Sequence, residues 1–228
     1  MIDVILVAGG RGLRFGSALA KQFQPLAGVP LLVWSARRMG AITGVTRLIV
    51  VAAPEEHDRC RALLEPLALP LHLAEAGEER QHSVASGLAA VDARAELVVV
   101  HDAVRPLVEP SAIAACVEAA RKNGAAFLAT PVADTVKRVE DDVVTATVPR
   151  TGLWLAQTPQ VFRADLLRRA HAEAVRLGIV ATDDAALVER LGAPVRIVAA
   201  SHLNRKITTP DDLAWAEAIV ARFPSLRL

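Results

Sequence analysis

Cysteine is almost missing from this 228-residue chain, which holds two, Cys60 and Cys116. They lie far apart and form no CxxC pair. Both fall in segments with helical apolar spacing and read as buried free thiols, a pattern that fits a reducing compartment. An excess of either charge is missing too. Lys and Arg total 26 against 25 Asp and Glu, a net of +1, so no global field recruits nucleic acid or an acidic membrane. Any anion site must come from local clustering. No apolar run is long enough to span a bilayer, and a strand reading begins at Ile2, leaving no room for a signal peptide. The expectation is a cytoplasmic protein. Internal repeats, low-complexity tracts and linkers are also lacking, which leaves one domain over residues 1–228.

What is present is apolar residues, at 53% of the chain, ample for a packed core. Strand candidates are 2–8, 46–53, 70–75, 96–102, 124–132 and 193–200. Most are nearly continuous in Val, Leu, Ile and Ala, as expected of strands covered on both faces. Helical spacing occupies roughly 30–39, 54–65, 81–92, 110–122, 163–177 and 183–191. Asn123-Gly124 reads as the stop after the fourth of these. A last helix opens at TTPDDLAWAEAIVARF, with Thr209 before Pro210 and two acids in its first turn. This alternation predicts an α/β fold, a Rossmann-like three-layer sandwich with an open, mostly parallel sheet. Ligands then belong at the carboxyl ends of the strands. Residues 134–150, DTVKRVEDDVVTATVPR, break the rhythm as a charged β-hairpin. It reads either as a solvated edge or as a projecting arm that pairs with a second subunit.

The stretch VAGGRGLRFGSALAKQF, residues 7–23, is a glycine-rich loop after the first strand. A dinucleotide fingerprint starting at Gly10 needs Gly or Ala at position 15 and meets Phe15. A P-loop ending at Gly16 needs Lys next and meets Ser17. Both fail, and a bare turn has no use for Arg14 and Lys21. Glycines let backbone N–H groups close on phosphate oxygens, and two cations nearby suit charge developing on a phosphate.

The pattern AGGxGxRFG followed by KQF resembles the nucleotidyltransferases that join a nucleoside triphosphate to a phosphorylated sugar or polyol. GEERQHSV (77–84), HDAVRP (101–106), PVADTVKR (131–138), VPRTGLWLAQTPQVF (148–162), ATDDAALVE (181–189) and NRKITTPDDL (204–213) follow in order. Together they resemble the cytidylyltransferases that make CDP-methylerythritol or CDP-ribitol, over about residues 2–215. Departures are small: Gly9 where many members have Ala, Val104 where Ala is common, and Phe23 where Tyr is common. DTVK, LWxAQTPQ and TDDA lean toward methylerythritol phosphate.

The resemblance implies transfer of CMP from CTP to 2-C-methyl-D-erythritol 4-phosphate with release of pyrophosphate, with ribitol 5-phosphate as the alternative acceptor. It implies Arg14, Lys21, Arg150 and Lys206 as catalytic cations. CTP would be held by Ala8, Gly9, Gly10, Gly12, Gly77, Ser83, Asp102 and Ala103, with Arg80 organising the base loop. Arg105, Thr135, Thr158 and Thr182 would serve the acceptor. Asp102 would bind Mg²⁺ or another divalent cation, and the 134–150 arm would build a homodimer that brings Arg150 across from the neighbouring subunit. Simpler readings stand beside these. Asp102 alone could cap a helix or pair with Arg105, Thr182 could cap the helix after it, His101 reads as structural and Trp154 as core. A non-catalytic nucleotide sensor would keep the base loop but could dispense with Arg150 and Lys206.

Overall fold

The computed structural model describes residues 1–10, 15 and 19–226. Seven of its strands form one sheet: β1 (Ile2–Val7), β4 (Val45–Ala52), β5 (Leu71–Glu75), β6 (Leu97–Asp102), β7 (Ala125–Pro131), β10 (Trp154–Arg163) and β11 (Arg196–Ala199). Between these in the chain fall two small hairpins. One joins β2 (Pro25–Leu26) to β3 (Val29–Pro30), and the other joins β8 (Val136–Glu140) to β9 (Val143–Val148). Across the sheet the order is β11-β7-β10-β6-β1-β4-β5. The helices are α1 (Leu31–Gly40), α2 (His57–Leu64), α3 (Arg80–Ala89), α4 (Pro110–Asn123), α5 (Ala164–Leu177), α6 (Asp184–Arg190) and α7 (Pro210–Arg222).

The continuous apolar runs are explained by what covers them. Ile2, Val4 and Leu6 of β1 pack on one face with Leu32, Val33 and Ala36 of α1, Cys60 of α2 and Cys116 of α4. Ile5 of the same strand packs on the other with Val84 of α3, Leu167 of α5 and Val188 of α6. Both faces are therefore dry, and each such side chain contributes about 1.5–3 kcal/mol on burial. Burial also pushes the Cys60 thiol up to about 11 and the Cys116 thiol up to about 12, so both are inert free thiols. α4 ends at Asn123, and Gly124 follows at φ +92°, a conformation that favours glycine.

One strand has no counterpart in the sequence reading, and one expectation needs correcting. The stretch 154–163 is a strand, β10, which runs antiparallel between β6 and β7. Its centre carries Gln157, Thr158 and Gln160, all buried, so it shows neither a continuous apolar run nor clean alternation. Trp154 is not core: it is 39% exposed, beside exposed Leu153 and Leu155. The hairpin β8–β9 leaves Val139, Val143 and Val144 more than half exposed, and it pairs with no strand of the main sheet.

Candidate active site

β1 ends at Val7 in register with Asp102, the last residue of β6. Just beyond these strand ends the backbone of Ala8, Gly9 and Gly10 lines a cleft of about 170 Å³. Gly77, Arg80 and Ser83, from the loop after β5 and the start of α3, line it as well, together with Lys21, Asp102 and Lys206. A second cavity, about 230 Å³, is lined by Arg105, Thr158, Thr182, Gln157, Gln160 and Asp183 among others. Arg80, Asp102 and Lys206 line both. One cluster of charge is thus the wall shared by two cavities.

At the centre of that wall Asp102 is 5% exposed. Arg80 Nε lies 3.3 Å from its Oδ1, while Lys206 Nζ at 3.1 Å and Arg105 Nε at 3.4 Å approach Oδ2. Burial alone would raise its pKa. Arg80, Lys206 and Arg105 overturn that effect and hold the carboxyl far below the usual range. The simple pairing with Arg105 is therefore present, but as one contact of several.

Lys206 is placed by the segments on either side of it. Asn204 Nδ2 donates to Thr158 O and Gln157 Oε1, both at 2.8 Å. Ile207 is buried, and its N–H donates to Val104 O at 2.9 Å. α7 then starts at the expected TTPDD, on a capping box in which Asp212 N donates to Thr209 Oγ1 and Thr209 N donates to Asp212 Oδ2. Arg105 Nη1 donates to Asn204 O at 2.8 Å.

Thr158 is buried, and its hydroxyl is committed within the protein. Asp102 N donates to Thr158 Oγ1 at 3.0 Å, and His101 Nδ1 lies 3.0 Å from the same oxygen. Burial drives the His101 pKa down to about 4, so the ring is neutral at physiological pH. The threonine proton goes to Nδ1, which leaves Nε2–H to donate to Arg105 O at 3.2 Å. His101 is thus a structural residue that orients its neighbours by hydrogen bonds.

The other named residues fall in different places. Ser83 accepts the Gly77 N–H at 3.0 Å, which folds the loop onto α3. Ala103 is fully buried and lines neither cavity; its N–H donates to Val7 O, and its carbonyl accepts from Ser35 Oγ. Thr182 lines the second cavity but is not a helix cap. Asp183 caps α6 instead, accepting from Ala186 N at 3.0 Å. Thr135 and Arg150 are exposed at the root of the hairpin and line neither cavity, and Arg150 Nη1 donates to Ala133 O. Gly12 and Arg14 lie outside the described residues.

Residues not anticipated are Gln157 and Gln160 in the second cavity and the buried pair Asp184 and His171 behind it. Gln157, Gln160 and Asp184 lie inside the motifs VPRTGLWLAQTPQVF and ATDDAALVE, where the resemblance gives them no role, and His171 is marked only as a lone histidine in an amphipathic helix.

Gly9 has a steric explanation. A Cβ built there would lie 2.2 Å from Ala76 Cβ and 3.5 Å from Ala76 Cα. Gly9→Ala should therefore cost about 1–3 kcal/mol as an overpacked contact. Adding Ala76→Gly removes the clashing methyl and should restore the lost stability. Melting temperatures of the two single variants and the double variant check this, and an additive double variant would refute the pairing.

The fold and cleft define an α/β protein of Rossmann-like architecture whose ligand site lies at the carboxyl ends of parallel strands. Residues 2–222 match the family described as 2-C-methyl-D-erythritol 4-phosphate cytidylyltransferase. Relatives carrying that name include a Pelotomaculum thermopropionicum protein, 46% identical over 96% of this chain and 94% of its own. Another, from Geobacillus kaustophilus, is 42% identical over 96% of each chain. The crystal structure of 2-C-methyl-D-erythritol 4-phosphate cytidylyltransferase from Thermus thermophilus superposes with a TM-score of 0.80 at 36% identity, covering 97% of this chain and 100% of that one. The chain belongs to the 2-C-methyl-D-erythritol 4-phosphate cytidylyltransferase family, and the family is one of enzymes.

Proposed function

We propose that the protein transfers CMP from CTP to 2-C-methyl-D-erythritol 4-phosphate, releasing pyrophosphate. The observation that carries this reading is the shared wall. A glycine-lined cleft and a polar cavity meet at Arg80, Asp102 and Lys206, where a bond between two ligands would form.

CTP occupies the first cleft, with backbone N–H groups of the Gly9–Gly10 turn on its phosphates and Gly77 and Ser83 at the base. The acceptor occupies the second cavity, near Arg105 and Thr182. Its phosphate oxygen attacks the α-phosphorus, and the bond to the pyrophosphate oxygen breaks. A phosphate monoester has a second pKa of about 6, so the nucleophile needs no general base, in keeping with the neutral, internally bonded His101. The obstacle is repulsion between two polyanions. Lys21 and Lys206 offset it, with Arg14 from the first loop and Arg150 supplied by a second copy. Asp102 fits a divalent cation as its single protein carboxylate, since it is ionised and at the boundary of both cavities. No cluster of three His, Cys, Asp or Glu among the described residues could hold the ion alone. Mg²⁺ bound there with triphosphate oxygens would neutralise phosphate charge.

The exposed valines of β8–β9, next to exposed Leu155 and Trp154, support a homodimer joined through the hairpin. This reading gives Arg150 and Thr135 a place in the site, since neither lines the two site cavities of its own chain.

Pyrophosphate release from CTP and Mg²⁺ with methylerythritol phosphate and with ribitol phosphate in parallel tests the assignment. Release with methylerythritol phosphate alone is expected. Release with ribitol phosphate alone would replace the acceptor but keep the chemistry, and no release with either would overturn the enzyme reading.

A further inference from the structure

Behind the shared wall lies a buried relay that the proposed chemistry does not use directly. His171 on α5 and Asp184 in the first turn of α6 are 5% and 1% exposed. His171 Nε2 lies 3.0 Å from Asp184 Oδ1, and Arg80 Nη1 donates to Asp184 Oδ2 at 2.6 Å. Gln160 Oε1 accepts the N–H groups of Asp184 and Ala185, both at 3.1 Å, so the carboxylate is fixed through its backbone as well.

The two contacts of Arg80 are unequal. Its 2.6 Å bond to Asp184 is short and direct, whereas the 3.3 Å contact of Nε with Asp102 is long for a charge-assisted bond. An arginine facing one carboxylate closes on it with two parallel bonds when nothing else restrains it. Arg80 does not do this with Asp102. Its remaining nitrogen, Nη2, is buried with no hydrogen-bond partner among the described residues. The second oxygen such a pairing would need, Asp102 Oδ2, is approached instead by Lys206 at 3.1 Å and Arg105 at 3.4 Å, while the short bond to Asp184 anchors the guanidinium.

We infer that Asp184, itself held by His171, is a positioning residue that draws Arg80 away from Asp102 and keeps the Asp102 carboxylate available to Lys206 and to a divalent ion. This rests on the proposed role of Asp102. Asp184 and His171 line neither cavity of the site, so they act through Arg80. Their effect must therefore depend on Arg80 being an arginine.

A double-mutant cycle tests this, with Asp184→Asn and Arg80→Gln made singly and together. Two quantities are read: turnover by pyrophosphate release, and binding of Mn²⁺ to the protein–CTP complex by water-proton relaxation enhancement, measured against Mn²⁺ and CTP without protein. Asp184→Asn should weaken Mn²⁺ binding and lower turnover by about 10–100-fold, the usual scale for a residue one step removed from a site. In the Arg80→Gln background it should change neither. His171→Leu, which removes only the outer donor, should shift both quantities in the same direction by less, and it carries the same cycle if Asp184→Asn does not fold. Equal effects of Asp184→Asn with and without Arg80 would overturn the inference, since loss of a nearby negative charge alone would give that result. Unchanged Mn²⁺ binding in Asp184→Asn would overturn it too. A wild-type protein that binds Mn²⁺ with CTP but releases no pyrophosphate would instead sink the proposed reaction, and the binding cycle would still judge the relay.

Discussion

Lys206→Ala should lower turnover by about 10²–10³-fold, the cost of removing one electrostatic donor from a site that stabilises developing charge. The fold should survive. The Lys206 side chain is 38% exposed, so its ion pair with Asp102 is partly screened and adds little to stability. The segment around it is fixed by Asn204 and Ile207 rather than by the lysine. Initial rates of pyrophosphate release, read beside a thermal melt, separate the two effects. A variant within a few-fold of wild type would show that the shared wall does not carry the chemistry.

Asp102→Asn has the larger expected effect on stability. The amide keeps the shape but removes the negative charge that Arg80, Arg105 and Lys206 surround. Removing one partner from a buried ion cluster costs about 3–5 kcal/mol, because the remaining charges lose their compensation. Turnover should fall as well, through lost placement of Lys206 and of the proposed divalent ion. The same charge predicts a pH dependence. The folded carboxyl sits far below its unfolded value, so its contribution is complete above the ordinary carboxylate range near pH 4 and fades as pH falls below it. Denaturant midpoints measured from pH 6 to pH 3 should drop more steeply in wild type than in Asp102→Asn. Parallel slopes would show that the cluster contributes nothing at acid pH.

Much of this architecture was legible in the chain because both faces of the sheet are covered, which writes β1, β4 and β6 as nearly continuous apolar runs. The ends of α4 and α7 were legible because Asn123-Gly124 and Thr209-Pro210 carry their own local chemistry. β10 was not, since its central residues are polar for the sake of the cavity they line. Trp154 read as core by residue type alone, yet it stands beside the uncovered hairpin. The cap of α6 lay one residue beyond the expected Thr182, at Asp183. That register is favoured by Gln160, whose Oε1 accepts from the backbone of Asp184 and Ala185, a contact between residues 24 and 25 positions apart. Lys21, Asp102 and Lys206 were named from ordered motifs, and the structure brings them to one cleft. The dependence of Arg80 on Asp184 could not be read, because nothing local marks that acid as buried.

Phe15, in the middle of the glycine-rich loop, is 9% exposed and packs in one cluster with Leu26, Trp34, Ile207, Ala216 and Val220. The last two belong to α7. The first loop of the chain and its final helix thus share a small core, and Ile207 ties Lys206 into it. A chain cut back just after Ile207 would retain every cation assigned to the reaction and still lose the α7 part of the core in which Phe15 packs. The C-terminal helix is therefore no trimmable extension: shortening it should disable the enzyme at its opposite end.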